Sequence, residues 1–301
     1  MATINKERQF YGLAFTLPAT IYMGVFLIYP LCLVLFDSFF FIDAMEPGFG
    51  EFVGMENYSE VLSDDRFWGT VGNTLMFTGL AVSLEFVLGF LIALAITSLK
   101  LGQQLARTLF LLPLMIAPLV AAMAWRFIFS SEFGILNWTL FYLGIIDNPS
   151  SIPWLNSPDL ALISAIITDI WLTTPFIVLI MVAGLQSLPK DVTEAAYVDG
   201  VGWWQEVFHI KLPMLRPVIA VAVVMRMIDA ARTFDIIWIL TGGGPRFSSE
   251  VLSTQIYRTL TRYGDVGISS ATAVLFTIGL MLFSVVVFKV ITSNNVQVEA
   301  K

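Results

Sequence analysis

Seven charged residues, Glu85, Arg126, Asp169, Arg226, Asp229, Arg232 and Asp235, fall within or beside long apolar runs. A charge at the bilayer midplane costs at least about 2.5–3.5 kcal/mol on the most lenient insertion scale, so such groups face protein, water or each other. Three chemistries are open to them: ion pairing inside the protein, hydrogen bonding to a hydroxyl-rich solute in a dry site, or, for the carboxylates, holding a proton or sodium ion. Arg226–Asp229, Asp229–Arg232 and Arg232–Asp235 are each i, i+3 neighbours able to pair. Each step turns about 60° back around a helix, so Arg226 and Asp235 point in nearly opposite directions and one face cannot hold all four. Two readings stay open. One is a charge ladder that fixes a helix against its neighbours. The other places Asp169, Arg226 and Asp229 around a solute, with Trp171, Phe176 and Phe234 offering faces to a sugar ring; aromatics at helical spacing also serve packing alone.

Chemistry beyond binding has little to work with. There is no G-x-x-x-x-G-K-[ST] phosphate loop, no H-E-x-x-H and no G-x-S-x-G. Gly242-Gly243-Gly244-Pro245 lacks a following lysine and reads as a turn. The only histidine, His209, reads as an interface or packing residue, and the only cysteine, Cys32, excludes an internal disulfide and a cysteine-built metal cluster. No catalytic residue, metal ligand or cofactor is assigned to the chain.

The elements that position these charges are membrane spans. Hydrophobic residues make up 57% of the chain and charged ones 13%, about half the usual share for a soluble domain; mean hydropathy is +0.81. Six windows reach the roughly 20 apolar residues a crossing needs: about 13–36, 71–98, 108–129, 159–184, 215–240 and 269–292. The chain is thus expected to be all-α, a polytopic protein with six transmembrane helices. Lys6 and Arg8 precede the first window, which is too long for a signal peptide and reads as a retained helix. With the amino terminus inside, every lysine (Lys6, Lys100, Lys190, Lys211, Lys289, Lys301) is cytoplasmic, which favours N-in, C-in. Counting 1.5 Å per residue from Pro217, Arg226 lies about 13 Å and Asp229 about 18 Å into the fifth span. The domain expectation is a cytoplasmic tail 1–12, one six-span domain 13–292 and a cytoplasmic tail 293–301. Eight acidic residues crowd between Asp37 and Asp65, Glu46 among them, so the net charge of −7 reflects one acidic outer loop. That loop and the region from Thr241 to Gly267 are the longer charged segments expected on the outer side.

The inner loop 185–214 carries the most information. Ser187, Pro189 and Asp191 mark a helix start, Val192–Val198 continues it, Asp199-Gly200 turns the chain, and a second helix runs over about Trp203–Ile210. Ala195 and Ala196 give the first helix a small face for close approach, and Gly200 permits a sharp reversal. The spacing Glu194-Ala195-Ala196, three residues, Gly200, nine residues, Ile210, one residue, Leu212-Pro213 resembles the EAA loop of permease subunits of binding-protein-dependent ABC importers. Asn73-Thr74, Leu111-Leu112-Pro113, Trp171 with Pro175, Phe234-Asp235 and the Leu240–Pro245 segment extend the likeness to the carbohydrate branch, the maltose, trehalose and glycerol-phosphate type.

That resemblance implies the type I ABC importer permease fold in a bacterial-type inner membrane. It also implies partners: a second related permease, two ATPase subunits that bind ATP and Mg, an extracytoplasmic solute-binding protein, and a small carbohydrate as cargo. Glu194, Ala195, Ala196, Asp199, Gly200, Ile210, Leu212 and Pro213 would couple the spans to the ATPase. The charges and aromatic faces set out above give the expected cargo path: Asp169, Trp171, Arg226, Asp229 and Phe234. An ion-coupled secondary transporter using Asp169 and Asp229 is the alternative class, although no symmetry between halves is visible.

Overall fold

A computed structural model describes Tyr11, residues 15–45 and residues 50–292. Lys6, Arg8, most of the tail 1–12, Glu46 and the tail 293–301 lie outside the described residues. The order is α1 (Phe15–Asp37), a small antiparallel hairpin of β1 (Phe40–Phe41) and β2 (Glu51–Phe52), α2 (Glu56–Ser63), α3 (Asp65–Ser98), α4 (Gln103–Leu111), α5 (Pro118–Ile128), α6 (Ile135–Tyr142), α7 (Ala161–Ser187), α8 (Lys190–Val198), α9 (Leu212–Ala231), α10 (Asp235–Leu240), α11 (Leu252–Arg258) and α12 (Val266–Thr292). Among the described residues, five helical stretches are long and apolar enough to cross a bilayer: Phe15–Asp37, Asp65–Ser98, Ala161–Ser187, Trp203–Leu240 and Val266–Val290.

The window 108–129, expected as one span, is interrupted. Helix α4 ends at Leu111, a single 3-10 turn covers Pro113–Met115, and Ile116 and Ala117 are extended before Pro118 opens α5. Proline has no backbone N–H to continue a helix, and Pro118 pushes Ala117 out of the helical region. The window 215–240 is divided as well. Helix α9 stops at Ala231, Arg232 and Phe234 leave helical geometry, and α10 starts at Asp235. The Thr233 carbonyl accepts a hydrogen bond from the Ser253 hydroxyl at 2.6 Å, which satisfies one group the break sets free.

Contacts group the chain into two units, residues 1–64 with 256–277 and residues 65–255 with 278–301. In the first, the Ser38 and Tyr58 hydroxyls are 2.7 Å apart and the Asn57 side-chain amide donates to the carbonyls of Ser38 and Phe40. Residues 43 and 265 form an isolated antiparallel bridge. Helix α1 is apolar and exposed along nearly its whole length, the surface of a helix that meets lipid or another apolar surface.

The second unit holds two apolar cores. Helices α3 and α7 lie close because Gly89 has no side chain: a β-carbon there would sit 2.6 Å from Ile177 Cγ2. One apolar core gathers Phe77, Val82, Leu162, Ile166, Leu172 and Ile237, and another gathers Phe90, Leu94, Ile177, Met181, Leu215 and Val207. Along α3, Glu85 falls between Val82 of one core and Phe90 of the other. Along α7, Asp169 and Thr173 stand beside Leu172, ahead of Ile177. Burial on both sides therefore fixes where these polar groups meet.

Candidate functional site

Where the two cores adjoin, one guanidinium gathers groups from three helices. Arg226 on α9 donates from Nε to Glu85 Oε2 at 2.8 Å and from Nη2 to Glu85 Oε1 at 3.0 Å. The same Nη2 reaches Asp169 Oδ2 and Thr173 Oγ1, each at 3.1 Å. Nη1 donates to Asp229 one turn further along α9. Thr173 Oγ1 also lies 2.8 Å from Glu85 Oε1 and 2.6 Å from the Asp169 carbonyl oxygen. Arg226 is 2% exposed, Glu85 0% and Asp169 3%. A charge so buried is tolerated only when its donors or acceptors are met by partners, and the fork geometry of arginine on a carboxylate meets that demand.

Asp229 stands at the edge of this cluster with its side chain 62% exposed. Its second oxygen lies 3.6 Å from Arg232 Nη2. Two cavities open beside it. One, of about 460 Å³, is lined by Leu114, Thr173, Phe176, Met225, Asp229 and Arg232, among others. The other, of about 320 Å³, is lined by Pro118, Asp169, Thr173, Asp229, Arg232 and Phe234, among others. Thr173, Asp229 and Arg232 border both. The rim offers a carboxylate, a guanidinium and a hydroxyl beside aromatic faces, a set that hydrogen-bonds hydroxyl groups and packs against a ring.

The loop between α7 and α9 is a second distinct construction. Helix α8 carries Glu194, Ala195 and Ala196, and its end closes by paired bonds: the Val201 amide donates to the Ala196 carbonyl at 3.0 Å and the Gly200 amide to Tyr197 at 3.2 Å. This double closure is the Schellman arrangement, which needs a left-handed residue after the cap. Gly200 supplies it with φ +71°. After Gly202 a single helical turn, Trp203–Gln205, leads into a π-turn over Glu206–Lys211 that runs directly into α9. The helix expected over Trp203–Ile210 is therefore a wide extension of α9. Val207 anchors it in an apolar core at 1% exposure, and Lys211 pairs with Glu206 at 2.9 Å. Ala196 is buried, while Glu194, Ala195, Asp199 and Gly200 are exposed; Ile210, Leu212 and Pro213 are half-buried. Tyr197 and Val198 are over 80% exposed, and Trp204 stacks on Phe208 on the same loop with both rings exposed.

Residues 85–294 match the family model for binding-protein-dependent transport system inner membrane components. The chain belongs to this family. As a permease it is 38% identical over 239 residues to the trehalose/maltose transport system permease protein MalF of Thermococcus litoralis, covering 79% of each chain. It is 35% identical over 279 residues to the sulfoquinovosyl glycerol transport system permease protein SmoG of Agrobacterium fabrum, covering 92% of this chain and 89% of that one. In structure it resembles a bacterial ABC transporter involved in the import of the acidic polysaccharide alginate, with a TM-score of 0.82 at 23% identity over 97% of this chain and 98% of the other. The permease is thus a multi-pass inner-membrane protein with the type I importer fold.

Of the residues proposed for a cargo path, the permease brings Asp169, Arg226 and Asp229 into one cluster and sets Phe234 on the wall of a cavity shared with Asp169 and Asp229. Phe234 also stacks on Trp238, with ring centroids 5.7 Å apart. Trp171 lines neither of these cavities; it packs edge-on against Trp125 at 5.8 Å. Arg226 turns its donors on carboxylates, which leaves Asp229 and Arg232 as the more accessible polar pair. Glu85 and Thr173 were not in the proposed path. Glu85 is the one acidic residue beyond the first turn of a 34-residue apolar helix, which marks it as interior, but its partner lies 141 positions away and only packing reveals it.

Proposed function

We propose that this permease is the membrane-spanning subunit of an ATP-driven importer that takes up a carbohydrate or sugar derivative by alternating access. In this reading six spans, with the α4–α5 region as the interrupted third, cross the membrane with both termini inside. Two ATPase subunits bind ATP and Mg, this chain carries no cofactor, a second permease completes the channel, and an extracytoplasmic binding protein delivers the cargo. The observation that carries the reading is the loop from Glu194 to Pro213. Its first helix ends in a tight closure at Gly200, its second part is anchored by buried Val207, and between them it exposes Tyr197, Val198, Trp204 and Phe208. Apolar side chains held outward on a rigid base suit a protein partner rather than water.

The cargo class rests on the relatives, named for transport of trehalose and maltose or of sulfoquinovosyl glycerol. The polar rim of Asp229, Arg232 and Thr173 beside Phe176 and Phe234 suits such solutes. The ion-coupled alternative draws no support from the cluster, because Arg226 engages both Asp169 and Asp229. Co-purification of the ATPase with tagged permease tests the coupling role. The wild-type permease should retain the ATPase, and a Glu194→Ala, Gly200→Val variant should release it while still inserting in the membrane; undiminished retention and transport would refute the reading.

A further inference from the structure

Asp229 is the most exposed carboxylate of the charge cluster, and it is held by a chain of contacts that begins at fully buried Glu85. Glu85, fully buried, takes Nε and Nη2 of Arg226; Asp169 and Thr173 share that same Nη2; only Nη1 remains to meet Asp229. A guanidinium is planar, and a carboxylate that engages it through two parallel bonds fixes its plane as well as its place. The direction of Nη1, and with it one oxygen of Asp229, is thus set by Glu85 on a helix remote in sequence. Arg232 holds the other oxygen more loosely, at 3.6 Å and with its own side chain 61% exposed.

We propose that Glu85 is a positioning residue for solute recognition: through Arg226 it fixes the Asp229 carboxylate at the junction of the two cavities. This rests on the reading that the cargo contacts Asp229. Without the fork on Glu85 the guanidinium keeps only its Nη2 contacts to Asp169 and Thr173; it can pivot about them, and the Asp229 carboxylate that Nη1 holds turns with it, away from the cavities. Charge compensation alone would give a different pattern, because Asp169 still neutralises Arg226 when Glu85 is made neutral.

The test uses the complete importer, permease with its partner subunits, in proteoliposomes supplied with binding protein and labelled trehalose. Glu85→Gln keeps one acceptor and loses the fork. It should raise the trehalose KM roughly tenfold, the loss expected when a hydrogen bond to a charged partner goes, with little change in maximal rate. Asp229→Asn should raise KM similarly, and the double variant should be no worse than Asp229→Asn alone, since Glu85 acts through Asp229. Glu85→Asp, which restores the charge with a shorter reach, should recover part of the KM. A lower maximal rate at unchanged KM, or additive effects in the double variant, would overturn the positioning role. An unchanged KM in Asp229→Asn with an altered one in Glu85→Gln would instead refute cargo contact at Asp229. Independently of cargo, a structure of the Glu85→Gln importer should show the helices in place and the Asp229 carboxylate displaced; a carboxylate in its original position overturns the proposal.

Discussion

Replacing Arg226 by methionine removes the single cation on which two buried carboxylates depend. Five contacts vanish at once: two to Glu85 and one each to Asp169, Thr173 and Asp229. Glu85 is fully buried and Asp169 nearly so, so neither regains water. Breaking a buried pair by removing one partner costs about 3–5 kcal/mol, roughly two to four decades in the folded-to-unfolded ratio. Asp229 adds little, because its side chain is largely exposed and such a pair is worth about 0–1 kcal/mol. Making the interior neutral throughout should reverse the loss. In Arg226→Met with Glu85→Gln and Asp169→Asn no charge is left without a partner, and well-packed replacements of buried ion groups are about neutral or stabilising. Thermal unfolding of the detergent-purified protein, followed by tryptophan fluorescence, should rank Arg226→Met lowest and the triple variant close to wild type. A stable Arg226→Met, or a triple variant no better than the single, would refute the idea that the cluster is a mutually dependent unit.

Other consequences follow from the same geometry. Asp229→Asn should lower sugar uptake while leaving the unfolding midpoint nearly unchanged, because the group is exposed. Gly200→Ala places a β-carbon in a left-handed residue, a strain of about 1–2 kcal/mol with no clash nearby; co-purified ATPase should fall without loss of membrane insertion, and Gly200→Asn should be milder. Arg66 forks onto fully buried Glu250 and lies 3.8 Å over the Phe247 ring. Arg66→Ala should cost about 3 kcal/mol and accelerate limited proteolysis between residues 241 and 251, whereas Arg66→Ala with Glu250→Gln should recover part of the protection.

Apolar run length located the long helices well, because burial in lipid demands length and composition before it demands any particular neighbour. It did not locate their interruptions. Pro113 and Pro118 are visible as kink sites, yet the complete break between α4 and α5 depends on Ile116 and Ala117 turning extended together. Helical spacing identified Arg226–Asp229 and Asp229–Arg232, which both form. Among the described pairs Arg232–Asp235 does not, because α9 has ended before Asp235 begins the next helix. The Glu85–Arg226 fork could not be read at all, since it depends on how α3 and α9 are rotated about their own axes, a property of packing rather than spacing. In the loop, the turn at Gly200 was legible because only glycine meets its backbone demand cheaply. The π-turn at Glu206–Lys211 was hidden because its residues also suit an ordinary helix.

The central claim is that transport through this permease is driven by ATP through the loop from Glu194 to Pro213. Its most direct test is uptake of a labelled sugar that the binding protein delivers, into proteoliposomes holding the complete importer, with ATP, without ATP, and with ATP and the Glu194→Ala, Gly200→Val permease. Uptake should require ATP and collapse in the variant while the ATPase subunits alone still hydrolyse ATP. Uptake that persists without ATP, or that follows an imposed ion gradient and ignores the loop variant, would contradict the account.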